Sequence, residues 1–158
     1  MKDFNILKKN VLENSLLDFI NDKNTKEAKN IINDNNVNLS YKYNLIFQTV
    51  CEKGNTELFD LLFDNPKVNI KDMGNIAFEF STTNNNQYIV EKLIQFLDLD
   101  YFHWFNGLKK SYHNDIGMLS FIFYHKAFVN FREEMNKKNI KSYNTIIKKI
   151  TESNISNF

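Results

Sequence analysis

Residues 53–72, KGNTELFDLLFDNPKVNIKD, are echoed at 84–98 by NNNQYIVEKLIQFLD. Self-similarity at this spacing confines a chain to stacked structural units, because one small unit cannot bury its own apolar face. Ile31-Ile32, Leu61-Leu62 and Leu93-Ile94 form paired apolar residues at intervals (62−32 and 94−62) of 30 and 32. The stretches leading to them, NTKEAKNII, NTELFDLL and NQYIVEKLI, each open on Asn and a polar residue. Ahead of those lie SLLDFINDKN, NLIFQTVCEKGN and NIAFEFSTTNNN, which align in turn.

The unit reads as two helices joined by a tight turn. In YNLIFQTVCEK (43–53), Leu45, Ile46, Thr49 and Val50 share one helical face, and in NTELFDLLFD (55–64) Leu58, Leu61 and Leu62 do the same. Gly54 suits a left-handed helix end, and Asn55 or Thr56 suits the cap of the next helix. Pro66 ends that helix, since proline cannot continue a helix interior. KVNIKDMGN then forms an extended excursion before a helix beginning near Asn75. Four Gly and one Pro leave little room for β-hairpins. The reading is therefore all-α, one domain of three to four repeats: 12–40, 41–72, 73–103 and a worn copy at 104–130. A C-terminal capping helix at 138–152 places Ile140, Tyr143, Ile146, Ile147 and Ile150 on one stripe with Lys opposite. FIFYHKAFVNF (121–131), apolar nearly all round, is expected to be buried between the last repeat and that helix.

With 158 residues, of which 42% are hydrophobic and 25% charged, the chain can fill one core and is not disordered. Twenty basic against nineteen acidic residues give a net charge of +1, so charge supplies no reason to expect nucleic acid or an anionic membrane as partner. The charged and Asn-rich N-terminus is unlike a signal peptide, and no apolar run approaches a membrane span. The expected location is the cytoplasm, where the Asn-x-Ser matches at Asn38 and Asn154 carry no glycan. The single Cys51 excludes an internal disulfide and reads as a packed thiol. His103, His113 and His125 stand ten or more residues apart without ligand spacing, and Gly54, Gly74, Gly107 and Gly117 are isolated. No enzyme, metal site or cofactor is expected on these residues, and no small-molecule substrate.

CEKGNTELFDLLFDNPKVN resembles the ankyrin repeat, through Gly54, Glu57, Leu58, Phe59, Leu61, Leu62, Val68 and Asn69. Its Asp-Asn-Pro-Lys-Val variant is similar to divergent ankyrin repeats common in amoebae and large DNA viruses; for a viral chain the cytoplasm would be the host's. The resemblance covers about residues 12–123. It departs where the family has Thr-Pro-Leu-His, since Tyr43-Asn44-Leu45-Ile46 stands there, and where the family's small Ala is replaced by Phe47 and Val50. The turns must then be held some other way, and irregular helix spacing is expected.

The resemblance implies an ankyrin-type helical solenoid that presents a concave surface to a protein partner, as an adaptor, inhibitor or effector. It places YFHWF (101–105) in a loop protruding from the stack, alongside Tyr41 and Tyr43 before the second unit and Lys71, Asp72 and Met73 before the third. The partner surface expected on this basis comprises Tyr41, Tyr43, Lys71, Met73, Tyr101, His103 and Trp104, aromatic-rich as binding hot spots are. The competing expectation is that Phe102, Trp104 and Phe105 pack between the third and fourth units. An architectural or homo-oligomerising unit is the alternative class of function.

Overall fold

A computed structural model describes residues 2–72, 74–114, 116–137, 144–145, 147–149 and 151–152. Eight α-helices run in four consecutive pairs: α1 (Lys2–Asn21) with α2 (Thr25–Ile32), α3 (Tyr41–Lys53) with α4 (Thr56–Phe63), α5 (Gly74–Thr83) with α6 (Gln87–Phe96), and α7 (Tyr101–Asn114) with α8 (Ile116–Tyr124). A 3-10 turn, Lys126–Phe128, leads into α9 (Val129–Lys137), and the described residues contain no strand. The first helices stack in one row, α1 on α3, α3 on α5 and α5 on α7. The second helices form another row, α2 on α4 and α4 on α6, with each pair also packed internally.

The register of the first three units is a constant 31 residues. Asn24, Asn55 and Asn86 (55−24 and 86−55) are the N-caps of α2, α4 and α6. Each backbone N–H donates to a carbonyl of the preceding helix, respectively Phe19, Val50 and Ser81. The residue just before each cap, Lys23, Gly54 or Asn85, is left-handed, with φ of 58°, 69° and 56°. Glycine adopts that conformation freely and Asn with modest strain, so local chemistry favours the turn in two of the three units. The paired apolar residues that gave intervals of 30 and 32 thus sit on a more even frame, set by caps and turns.

The loops repeat as well. Asp34 and Asn65, 31 apart, each turn the chain by accepting from the backbone N–H two residues on, at Asn36 and Lys67. Val37, Val68 and Leu99 at the same register are all buried, as are Leu39 and Ile70. These loops therefore insert apolar side chains between the helix pairs, extending the core that Phe47, Phe59, Phe78 and Trp104 dominate. Burying one large apolar side chain is worth about 1.5–3 kcal/mol. Phe47 of α3 packs on Phe59 of α4 at 5.6 Å between ring centroids, filling the interior of that helix pair.

The fourth unit differs. Its first helix starts at Tyr101, and YFHWF is helical where the sequence suggested a loop. Trp104, Leu108 and Ser111 line its buried face, and Gly107 lies so close to Phe78 that a Cβ there would sit 2.7 Å from the ring. Ile122, Phe123 and Phe128 are buried while Tyr124 remains 59% exposed, so FIFYHKAFVNF is only partly enclosed. Of the capping stretch, 144–145, 147–149 and 151–152 are helical, Ile147 packs on the core, and Lys149 donates to the Tyr112 carbonyl. Ile140, Tyr143, Ile146 and Ile150 lie outside the described residues.

Candidate interaction surface at the loop tips

The approach to α3 departs from helical geometry. Lys42, Tyr43 and Asn44 have φ of 46°, 58° and 60°, three consecutive left-handed non-glycine residues, and regular helix begins only at Leu45. Each such residue costs roughly 1–2 kcal/mol, so surrounding bonds must hold the segment. They come mainly from Asn44, which is 1% exposed. Its amide donates to the carbonyls of Asn69 at 2.8 Å and Asp72 at 2.9 Å, in the loop before α5. Gln48 donates to the Tyr43 carbonyl at 2.6 Å, and Ser40 to that of Lys67 at 2.8 Å. These bonds tie the approach to α3 to the loop before α5.

The consequence for the surface is direct. Tyr43 projects outward, 74% exposed, while Lys42 folds over the half-buried Tyr41 ring at 5.1 Å. Lys71 is exposed in the loop to which Asn44 is bonded, so the structure brings Tyr41, Tyr43 and Lys71 together on two cross-linked loops. Met73 lies outside the described residues, and Tyr101 opens α7.

His103 stands in the first turn of α7, half-buried, 31 residues after the Asp72 that follows Lys71. Its backbone N–H donates to Asp100 Oδ1 at 3.0 Å, and its Nδ1 lies 2.6 Å from the same oxygen. The His103 N–H holds the Asp100 carboxyl below its ordinary range, aided by the nearby ring. Trp104 does not belong to the surface: it is 2% exposed, edge-on to Phe78 at 5.7 Å, and a core residue. Phe102 takes the opposite course, 61% exposed where burial was the competing expectation, while Phe105 packs partly buried against the core. Once 101–105 is helical the reason is clear, since Phe102 lies about 200° around the helix from Trp104.

The sequence pointed to no functional role for Asn44, Lys42 and Asp100, and to Phe102 only as a packing residue. One signal was present: a polar residue at 44 between the apolar faces of a predicted helix, with Glu13 in the same register one unit earlier. Glu13 is fully buried and accepts from the Asn38 backbone N–H at 2.7 Å, whereas Asn44 donates to the carbonyl of Asn69 at the same register.

Elsewhere, burial pushes the Cys51 thiol above its ordinary pKa. His125 pairs with Glu91 across the stack, and the His113 side chain lies outside the described residues. Among the described residues no group of three or more His, Cys, Asp or Glu is placed to hold a metal ion, and no helix is long and apolar enough to cross a membrane. A shallow groove of about 630 Å³ runs between α2 and α4, where Lys29 pairs with Glu57 beside Asp60, Asp64 and Pro66. It opens widely to solvent. Compared with known proteins, the chain matches no family model, no curated sequence and no solved structure.

Proposed function

We propose that the chain is a divergent ankyrin-type helical solenoid acting as a protein–protein interaction module without catalysis of its own, serving as an adaptor, inhibitor or effector. The observation that carries this reading is the 31-residue register, in which caps, left-handed turns and loop hydrogen bonds recur together. A stack of this kind presents its loop tips rigidly, so binding does not first have to order them. Tyr41, Tyr43 and Lys71 form the centre of the contact, with Phe102 and His103 next along the row. Exposed aromatics on a fixed backbone supply contact area at low entropic cost, and a few such anchors dominate most interfaces.

Affinity capture from extracts of the native cell tests it, comparing the wild type with Tyr43→Ala, Lys71→Ala and His103→Ala. Thermal melts of the variants should stay within a few degrees of the wild type, while a protein retained by the wild type is lost from Tyr43→Ala. Two results would count against the reading: identical sets of retained proteins, or variants that no longer fold. Light scattering supplies a further arm. A stable dimer abolished by Tyr43→Ala would assign the same surface to a second copy of the chain, making it an architectural unit.

A further inference from the structure

We propose that His125 is a proton-operated latch, holding the 3-10 turn and α9 against the stack at neutral pH and releasing them on acidification. The ring sits at a junction of four elements. Nδ1 accepts from the Ala127 backbone N–H at 3.2 Å, capping the turn 126–128. Nε2 lies 3.0 Å from Glu91 Oε2 on α6. The ring stacks on Trp104 of α7, centroids 6.3 Å apart, and meets Phe121 of α8 at 5.8 Å. The side chain is 9% exposed.

These contacts fix the tautomer. A ring nitrogen that accepts from a backbone N–H carries no proton, so the single proton of the neutral ring is on Nε2 and is donated to Glu91. A second proton can go only to Nδ1, where it would face the Ala127 N–H, donor against donor. That bond is then lost. The pairing with Glu91 meanwhile gains charge and strengthens, so the ring stays with α6 and the turn moves away. Glu91 is held in place for this, its other oxygen accepting from Gln95 at 2.7 Å.

Of the charged groups around the ring, Glu91 faces it from α6. Arg132 of α9 stands over Phe123 and donates to that residue's carbonyl, and Lys126 beside His125 is exposed. What the turn carries makes its release consequential. Phe128, fully buried, packs on Trp104 at 5.3 Å, and Phe131 of α9 packs there at 6.0 Å. Losing the cap therefore loosens the aromatic cluster that closes the fourth unit, while the first three units keep their contacts.

Trp104 is the only tryptophan, and it touches the ring directly. Its fluorescence, together with amide exchange in 126–137, should be followed from pH 8 to pH 5 in the wild type and in His125→Asn. Asparagine is a strong N-cap that takes up no proton in this range. The wild type is expected to change its emission and to exchange at least 10-fold faster in 126–137 at pH 5, after correction for intrinsic rates, while amides of α3 to α6 stay protected. The variant is expected to show neither change. A flat wild-type profile, or an equal response in the variant, overturns the latch. Should the variant fail to fold, imidazole ¹⁵N shifts of the wild type at pH 8 still decide: a proton found on Nδ1 overturns the proposal, and an unprotonated Nδ1 supports it.

Discussion

Asn55 joins two units at once: its Oδ1 accepts from the Leu58 backbone N–H at 3.0 Å, capping α4, while its Nδ2 donates to Thr25 Oγ1 at 2.8 Å, at the start of α2. One side chain therefore starts its own helix and fixes the distance to the unit before. Asn86 does the second of these jobs one unit on, donating to the Cys51 carbonyl at 3.2 Å.

Replacing Asn55 with Ala removes both bonds and is expected to cost about 1–2 kcal/mol, the usual loss of a cap. A cycle with Thr25→Val isolates the link between units, with an expected coupling of about 0.5–1 kcal/mol. Urea denaturation of the two single variants and the double variant measures it. Strict additivity would mean that Asn55 acts within its own unit alone.

The left-handed turns give a prediction of opposite signs at equivalent positions. Gly54→Ala puts a Cβ at φ 69° and 2.1 Å from Asn86 Oδ1, disturbing the very amide that bonds to Cys51. A loss of at least about 1–2 kcal/mol is expected. Lys23 holds the same conformation at φ 58° with an exposed side chain, so Lys23→Gly removes strain. Its gain should reach up to about 1 kcal/mol, after the extra chain entropy of glycine is subtracted. Thermal melts of both variants should move in opposite directions.

These positions also show how far the sequence could be read. The helix pairs were visible because apolar residues recur at 3–4 residue spacing and are broken by Gly54-Asn55 and Asn65-Pro66, whose effects are local. Lys23 gives no such sign, because lysine has no intrinsic preference for the left-handed conformation it holds here. Asn44 stands out as a polar residue between apolar helix faces, but its partners are backbone carbonyls at Asn69 and Asp72, which no pattern of side chains announces. Trp104 is buried and Phe102 exposed, where the surface reading exposed Trp104 and the packing reading buried both, because 101–105 reads as a loop yet forms the first turn of α7. Residues two apart in a helix point about 200° from each other, so only one of the two can face the core.

Asp100 ties acid stability to the first turn of α7. Its carboxyl titrates below the ordinary aspartate value, chiefly because the His103 N–H bonds to it. A group whose folded pKa is depressed adds stability above its unfolded value, about 3.9, and loses it as pH falls through the lower folded one. Asp100→Asn keeps an acceptor for the His103 N–H and removes the charge. Urea midpoints of wild type and variant should differ at pH 6 and converge steadily below about pH 4. A constant difference down to pH 2 would remove Asp100 from the acid response.

Glu13 offers the sharpest test of the register, because its environment asks for a different residue. It is fully buried, with Oε1 satisfied by the Asn38 N–H at 2.7 Å and Oε2 without a hydrogen-bond partner among the described residues. Asn44, 31 residues on, meets the same frame with an amide whose NH₂ donates to two loop carbonyls, at Asn69 and Asp72. Their counterparts one unit earlier are the carbonyls of Asn38 and Tyr41 (69−31 and 72−31). Glu13→Gln keeps the acceptor for Asn38 and adds a donor suited to those carbonyls, while removing a titratable group from the core. It is expected to raise stability by about 1 kcal/mol, whereas Glu13→Ala strands the Asn38 N–H and costs about 1–3 kcal/mol. Urea unfolding with unchanged slope separates the two outcomes. If Gln destabilises as much as Ala, then position 13 is no counterpart of position 44, and the first unit is held by contacts of its own.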